Sequence, residues 1–262
     1  MITREDIITE LTNKGYKAEK HTSIKNGVEF NGVCFMHESG ICPVVYTDSI
    51  IEESGTLLEA VENVLGIYKN NKTVKWNMDN LLSPDFIMRN LYIGVQKEGM
   101  EDIAKSGTDF EGIEKYLYVK MDVNASFKVT YAMLDALKVS KDGAWEAAES
   151  NTFAGTRIVP MAEMLSEMTG QEIQEADGIP GLYVVTNAMG FRGASAILDK
   201  ASLEKLACRL NVHRLIVLPS SVHEMLILPD NGEGHMGEFH AMVQEVNQAQ
   251  VAPEERLTDR AY

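Results

Sequence analysis

Residues 181–230 constrain the fold more than any other stretch: GLYVVTNAMGFRGASAILDKASLEKLACRLNVHRLIVLPSSVHEMLILPD. The reading is a strand from Leu182 to Asn187, a sharp turn through Gly190-Phe191-Arg192-Gly193, and a short helix over Ala194–Leu198. Next come Leu203, Leu206, Ala207 and Leu210 at i, i+3, i+4 and i+7, the apolar stripe of a packed helix. RLIVL and VHEMLIL flank Pro219-Ser220-Ser221, which predicts an antiparallel hairpin with a three-residue loop. A segment that carries both periodicities excludes an all-helical or all-strand protein.

The rest of the chain extends the same mixture. Ile7, Ile8 and Leu11 predict a short amphipathic helix, and Asn26-Gly27 between β-prone runs predicts a type I′ hairpin. With a second turn at Glu38-Ser39-Gly40, residues 21–50 read as a three-stranded meander. Thr56 and Glu59 form a capping box ahead of a helix with Leu57, Val61, Val64, Leu65 and Tyr68 on one stripe. Ser83-Pro84-Asp85 opens a further helix, residues 90–96 are strand-like, and a helix is expected from Glu98 to Lys105. Residues 116–123 alternate as a central strand with Phe127–Val129 as its partner, and Trp145 and Ala148 mark another helix. MAEMLSEMT is a helix stopped by Gly170, and a last helix from about Met236 to Val246 should bury Phe239, Met242, Val243 and Val246. Strands cluster in antiparallel groups without regular βαβ alternation, so the expected class is α+β: meander and hairpins packed with amphipathic helices. The expected organisation is a lobe at 1–110, a second at 111–250 and a polar surface tail at 251–262, the lobes being compatible with one continuous domain. No repeat of solenoid or propeller period is present.

Charge narrows the partners. A formal net charge of −15 works against nucleic acid and anionic lipid, whose phosphates require Lys and Arg. No apolar run reaches the length of a membrane span. Cys34, Cys42 and Cys208 form no C-x-x-C pair, which fits reduced thiols in a cytoplasm better than a disulfide framework. The N-terminus lacks the apolar core of a signal peptide.

Four of the six histidines, His213, His223, His235 and His240, lie in the last fifty or so residues. Hairpin register would separate His213 from His223 by on the order of 13 Å, too far for one ion. His235 and His240 miss the i, i+4 spacing, and Cys34, His37 and Cys42 lack a fourth ligand, so neither a metal nor another cofactor is expected. If His223 and Glu224 lie in a strand, they point to opposite faces. A buried, unpaired Glu224 would then suit acid/base work, whereas a rim glutamate bonded to the Ser220–Ser221 turn is the plainer alternative. Arg192, Gly193 and Ser195 at the turn, with Ser220 and Ser221, form a candidate site for a small anionic ligand or nucleotide.

PVVYTDSIIEESGTLLEAVENVLGIY, NLYIGVQKEGMEDIAKSG, YLYVKMDV, AWEAAESNT, GASAILD and LIVLPSSVHEMLILPD together resemble a bacterial family of unknown function. That family is common in mobile elements of Gram-positive anaerobes, and the resemblance implies a mobile-element or phage setting without implying a reaction. The leading expectation is a non-enzymatic accessory protein that binds another protein. A small anionic ligand is the second reading, and a hydrolase-like enzyme using Glu224 and His223 is the third. Oligomeric state is open.

Overall fold

The computed structural model describes residues 2–36, 42–71, 81–122, 125–173, 181–232 and 235–262, and the architecture is α+β with antiparallel sheets. The chain divides into two compact units, 1–77 and 78–262. The expected lobe boundary near residue 110 falls between two strands of one sheet, 91–97 and 113–122, which pair with each other.

The first unit is the meander with its helices. Strands β1 (Ala18–Lys25), β2 (Val28–Phe35) and β3 (Val44–Tyr46) pair in that order. Asn26 and Gly27 sit at φ 49° and 81°, the left-handed pair that a type I′ turn demands. The second expected turn, at Glu38-Ser39-Gly40, lies outside the described residues. Helix α1 (Arg4–Asn13) buries Ile7 and Leu11. A short helix α2 (Asp48–Glu53) follows β3, and α3 (Leu57–Asn71) then lays Val61, Val64, Leu65 and Tyr68 against Val33, Phe35 and Val45. Phe35 and Tyr68 stack at 3.9 Å between ring centroids. At the start of α3 the Glu59 N–H donates to Thr56 Oγ1 at 3.2 Å. The Glu59 carboxylate accepts from Gly55 N–H instead of Thr56 N–H, so the expected cap closes one residue earlier.

The second unit holds two four-stranded sheets. Helix α4 (Pro84–Asn90), capped by Ser83, leads into β4 (Leu91–Lys97). This strand pairs with β6 (Ile113–Asp122), whose other side carries β5 (Lys105–Gly107) and β7 (Ala125–Lys128). The expected helix over 98–105 is absent; the segment is irregular and ends as β5. Ala104 N–H donates to Val129 O and Leu117 N–H to Ala104 O, so pairing to β6 and its neighbour takes the backbone groups that a helix would have used. An isolated helix of that length has little to oppose this with. Helices α5 (Tyr131–Ala136) and α6 (Lys141–Phe153) cover the apolar face of this sheet through Leu134, Ala144 and Ala148.

The other sheet runs β10 (Leu215–Pro219), β11 (Met225–Pro229), β9 (Tyr183–Asn187), β8 (Thr156–Pro160). Helices α7 (Met161–Thr169), stopped by left-handed Gly170, and α8 (Lys200–Leu210) pack on it. Between the two sheets lies the segment Gly193–Leu198, a 3-10 helix in which Ala194, Ser195, Ala196 and Ile197 are all within 2 % of complete burial. Its small residues let a helical turn fit between Val95 and Ile113 of one sheet and Val185 and Ile227 of the other.

Three expectations at the C-terminal end are corrected. Pro219 pairs with Met225, so the hairpin loop is residues 220–224, not 219–221. Pro219 continues β10 because that strand is at the end of the sheet, where a missing N–H costs no ladder bond. Helix α9 (Met236–Gln250) buries Val243 and partly buries Phe239, while Met242 and Val246 remain more than 40 % exposed. The tail is no loose surface strand. Val217 and Tyr262 exchange both backbone hydrogen bonds, 2.8 and 2.9 Å, along the free edge of β10. Leu257 and Ala261 are buried, and buried Asn247 of α9 donates to Thr258 O and Asp259 Oδ1. Ala261 N–H donates to His240 Nδ1 at 3.0 Å, which uses that histidine as a clasp for the tail.

Candidate functional site

The 220–224 loop is built by its own polar groups. Ser221 N–H donates to Glu224 O, and His223 N–H donates to Ser221 Oγ at 3.0 Å. His223 and Glu224 thus occupy a turn, and the expected alternation of a strand does not apply to them. His213 lies just before β10, so its separation from His223 is likewise no longer set by ladder register.

The His223 ring is fully engaged. Its Nδ1 accepts the Arg192 backbone N–H at 3.2 Å, which places the ring proton on Nε2, 3.2 Å from Glu255 Oε1. Arg192 achieves this from a left-handed conformation, φ 51°, at the head of the 3-10 helix. The next residue must be glycine. A Cβ at Gly193 would stand 2.3 Å from Thr186 Oγ1 and 2.7 Å from His223 O, which are themselves bonded to each other. The turn and the loop are therefore one assembly, closed by Glu255 from the 3-10 turn Pro253–Glu255.

The predicted site residues separate at this point. Gly190, Ser220, Ser221, His223 and Glu224 line an open pocket of about 440 Å³, with Val246, Gln250, Val251 and Glu255 on its other side. Arg192 turns the other way. Its guanidinium donates to the Tyr116 hydroxyl and lies 5.0 Å from the Tyr118 ring centroid and 5.3 Å from that of Phe191. Ser195 is buried, donates to Arg192 O, and lines a separate, more enclosed space of about 110 Å³ with Tyr92, Tyr118 and Asn151.

Arg192 thereby joins a polar layer on the face of β6 that carries Glu114, Tyr116 and Tyr118, opposite Ile113 and Leu117. Gln96 and Glu114, both nearly buried, bond at 2.8 Å. Lys105 reaches Glu114 at 3.1 Å, while Lys128 bridges Gln96 and Glu101. Burial raises the Tyr116 phenol above its usual range, with the Arg192 charge opposing, and burial also lowers the Lys128 ammonium despite Glu101. The alternation over 116–123 was legible and puts Tyr116 and Tyr118 on a common face; Glu114 and the partners from other strands were not. Glu255 carried no signal, since an acid in a polar tail has no periodicity to place it.

Among the described residues no group of three His, Cys, Asp or Glu could hold a metal. Cys34 is buried, with its thiol raised chiefly by burial and its Sγ 3.7 Å from Cys42 O. Cys42 is only partly buried, and His37 lies outside the described residues. No described helix is long and apolar enough to cross a membrane.

A family model described as a family of unknown function, DUF5688, matches residues 3–262. The chain belongs to DUF5688. No curated protein and no solved structure matches it. The DUF5688 assignment spans both compact units, so the meander is part of the family pattern together with the two-sheet unit.

Proposed function

We propose that this DUF5688 chain is a non-enzymatic binding protein that holds a partner protein by a positively charged side chain seated in the 440 Å³ pocket. The observation that carries the reading is Glu224. Glu224 lines the pocket and its carboxylate has no hydrogen-bond or ion-pair partner among the described residues, while the second acid of the lining, Glu255, is bonded to His223. Val246 and Val251 supply aliphatic wall for the stem of a Lys or Arg. The net charge of −15 draws such a partner in.

The same geometry weighs against the other readings. An anionic ligand would face two carboxylates, and Arg192 is turned away from it. For hydrolysis, both His223 nitrogens are already bonded, and Ser221 Oγ accepts from the His223 backbone instead of donating to the ring. A bacterial cytoplasm and a mobile-element setting complete the proposal; their support is the reduced cysteines and the sequence resemblance.

The test is fluorescence anisotropy with a labelled tetra-arginine peptide against wild type, Glu224→Gln and Glu224→Lys. Loss of one charge-assisted contact should weaken binding by about tenfold in the glutamine variant and further in the lysine variant. Equal affinity for all three proteins would remove the pocket from the reading.

A further inference from the structure

A second cleft lies at the far edge of the same sheet, between β8 and α8. Thr156 and Ile158 form one wall, two residues apart and so on one face of the strand. Ser202, Lys205, Leu206 and Arg209 form the other, at i, i+3, i+4 and i+7 on one helical face. The cleft is open, with a volume of about 260 Å³.

Its charge runs against the rest of the chain. Acids outnumber Lys and Arg by 39 to 24, yet this cleft is lined by two cations and no carboxylate. Neither Lys205 nor Arg209 has an ion-pair partner among the described residues, and the Arg209 guanidinium lies 5.8 Å from the ring centroid of Tyr183. Asp199 caps α8 through Ser202, and Glu163 and Glu167 hold Arg157, while Glu204, beside Lys205 in sequence, is exposed to solvent.

We propose that this cleft binds a phosphomonoester group. Two cations match the dianion, with Arg209 offering paired N–H donors and Lys205 a mobile one. Ile158 and Leu206 give the organic portion an apolar surface. The site is distinct from the Glu224 pocket in residues and in charge, so either assignment can fail without the other.

The test is amide chemical-shift titration of the full chain, with phenyl phosphate, inorganic phosphate and acetate as probes. Saturable shifts at residues 156–158 and 202–209, weakened about tenfold or more in Lys205→Gln/Arg209→Gln, support the site. Both replaced side chains are exposed, so the variant is expected to keep the wild-type spectrum elsewhere. Tighter binding of phenyl phosphate than of inorganic phosphate identifies a phosphorylated organic ligand, and the reverse order identifies free phosphate. Absence of saturable shifts, unchanged affinity in the double variant, or acetate binding as tightly as either phosphate would overturn the proposal.

Discussion

Tyr116, Tyr118 and Tyr262 show how a single side chain's setting becomes measurable. Burial is the leading cause in all three, and it raises each phenol above the ordinary value of 10. The neutral form is favoured in the fold, so the stabilisation is complete below pH 10 and is lost as pH climbs through the raised values. Lys128 runs the opposite way, because its disfavoured charged form is the protonated one, so the penalty fades as pH rises towards its ordinary 10.5. Spectrophotometric titration of the native protein should therefore show some of its nine tyrosines ionising late, and Tyr116→Phe should remove part of that late phase. A titration in which all nine ionise together near pH 10 would contradict the buried layer. At this scale the sequence was informative about which residues stand out and poor on what they touch. His223 and Glu224 were visible as an unusual pair, but their chemistry depends on Arg192 N–H and on Glu255, which are brought there by the fold.

At the scale of elements, sheet edges show how the fold satisfies its backbone. β4 lies at the end of its sheet, and an uncovered edge invites pairing with other chains. Helix α6 covers it with side chains: Ile93 N–H donates to Thr152 Oγ1 at 2.9 Å, and Asn151 Nδ2 donates to Leu91 O at 2.9 Å and Met88 O at 3.1 Å. Thr152→Val keeps the shape and leaves the buried Ile93 N–H without its acceptor, so it should cost about 1–3 kcal/mol in urea unfolding, with Thr152→Ser recovering most of it. A Thr152→Val midpoint equal to wild type would mean that the edge is satisfied some other way. Local chemistry made most elements legible: Asn26-Gly27 set the hairpin, Ser83-Pro84 the start of α4, Gly170 the end of α7. Prediction failed where distant backbone groups competed, as at 98–105, and where Pro219 was taken as a breaker although its strand lies at an edge.

Taken whole, the chain carries a separate core in each unit. Among the described residues, the cluster around Val33, Phe35 and Val64 draws on the first unit, and those around Leu117, Ile227 and Val243 draw on the second. A fragment of residues 78–262 is therefore expected to fold alone, giving a cooperative urea transition and native-like near-ultraviolet dichroism; a broad, non-cooperative transition would refute independent folding. The pairing of Val217 with Tyr262 carries a further consequence. Ribosomes deliver the chain in one direction at about 5–20 residues per second, so β10 leaves the exit tunnel seconds before the segment that lines its free edge. Throughout that interval the nascent hairpin presents an open strand, and its protection must come from the ribosome surface or a chaperone until residue 262 arrives.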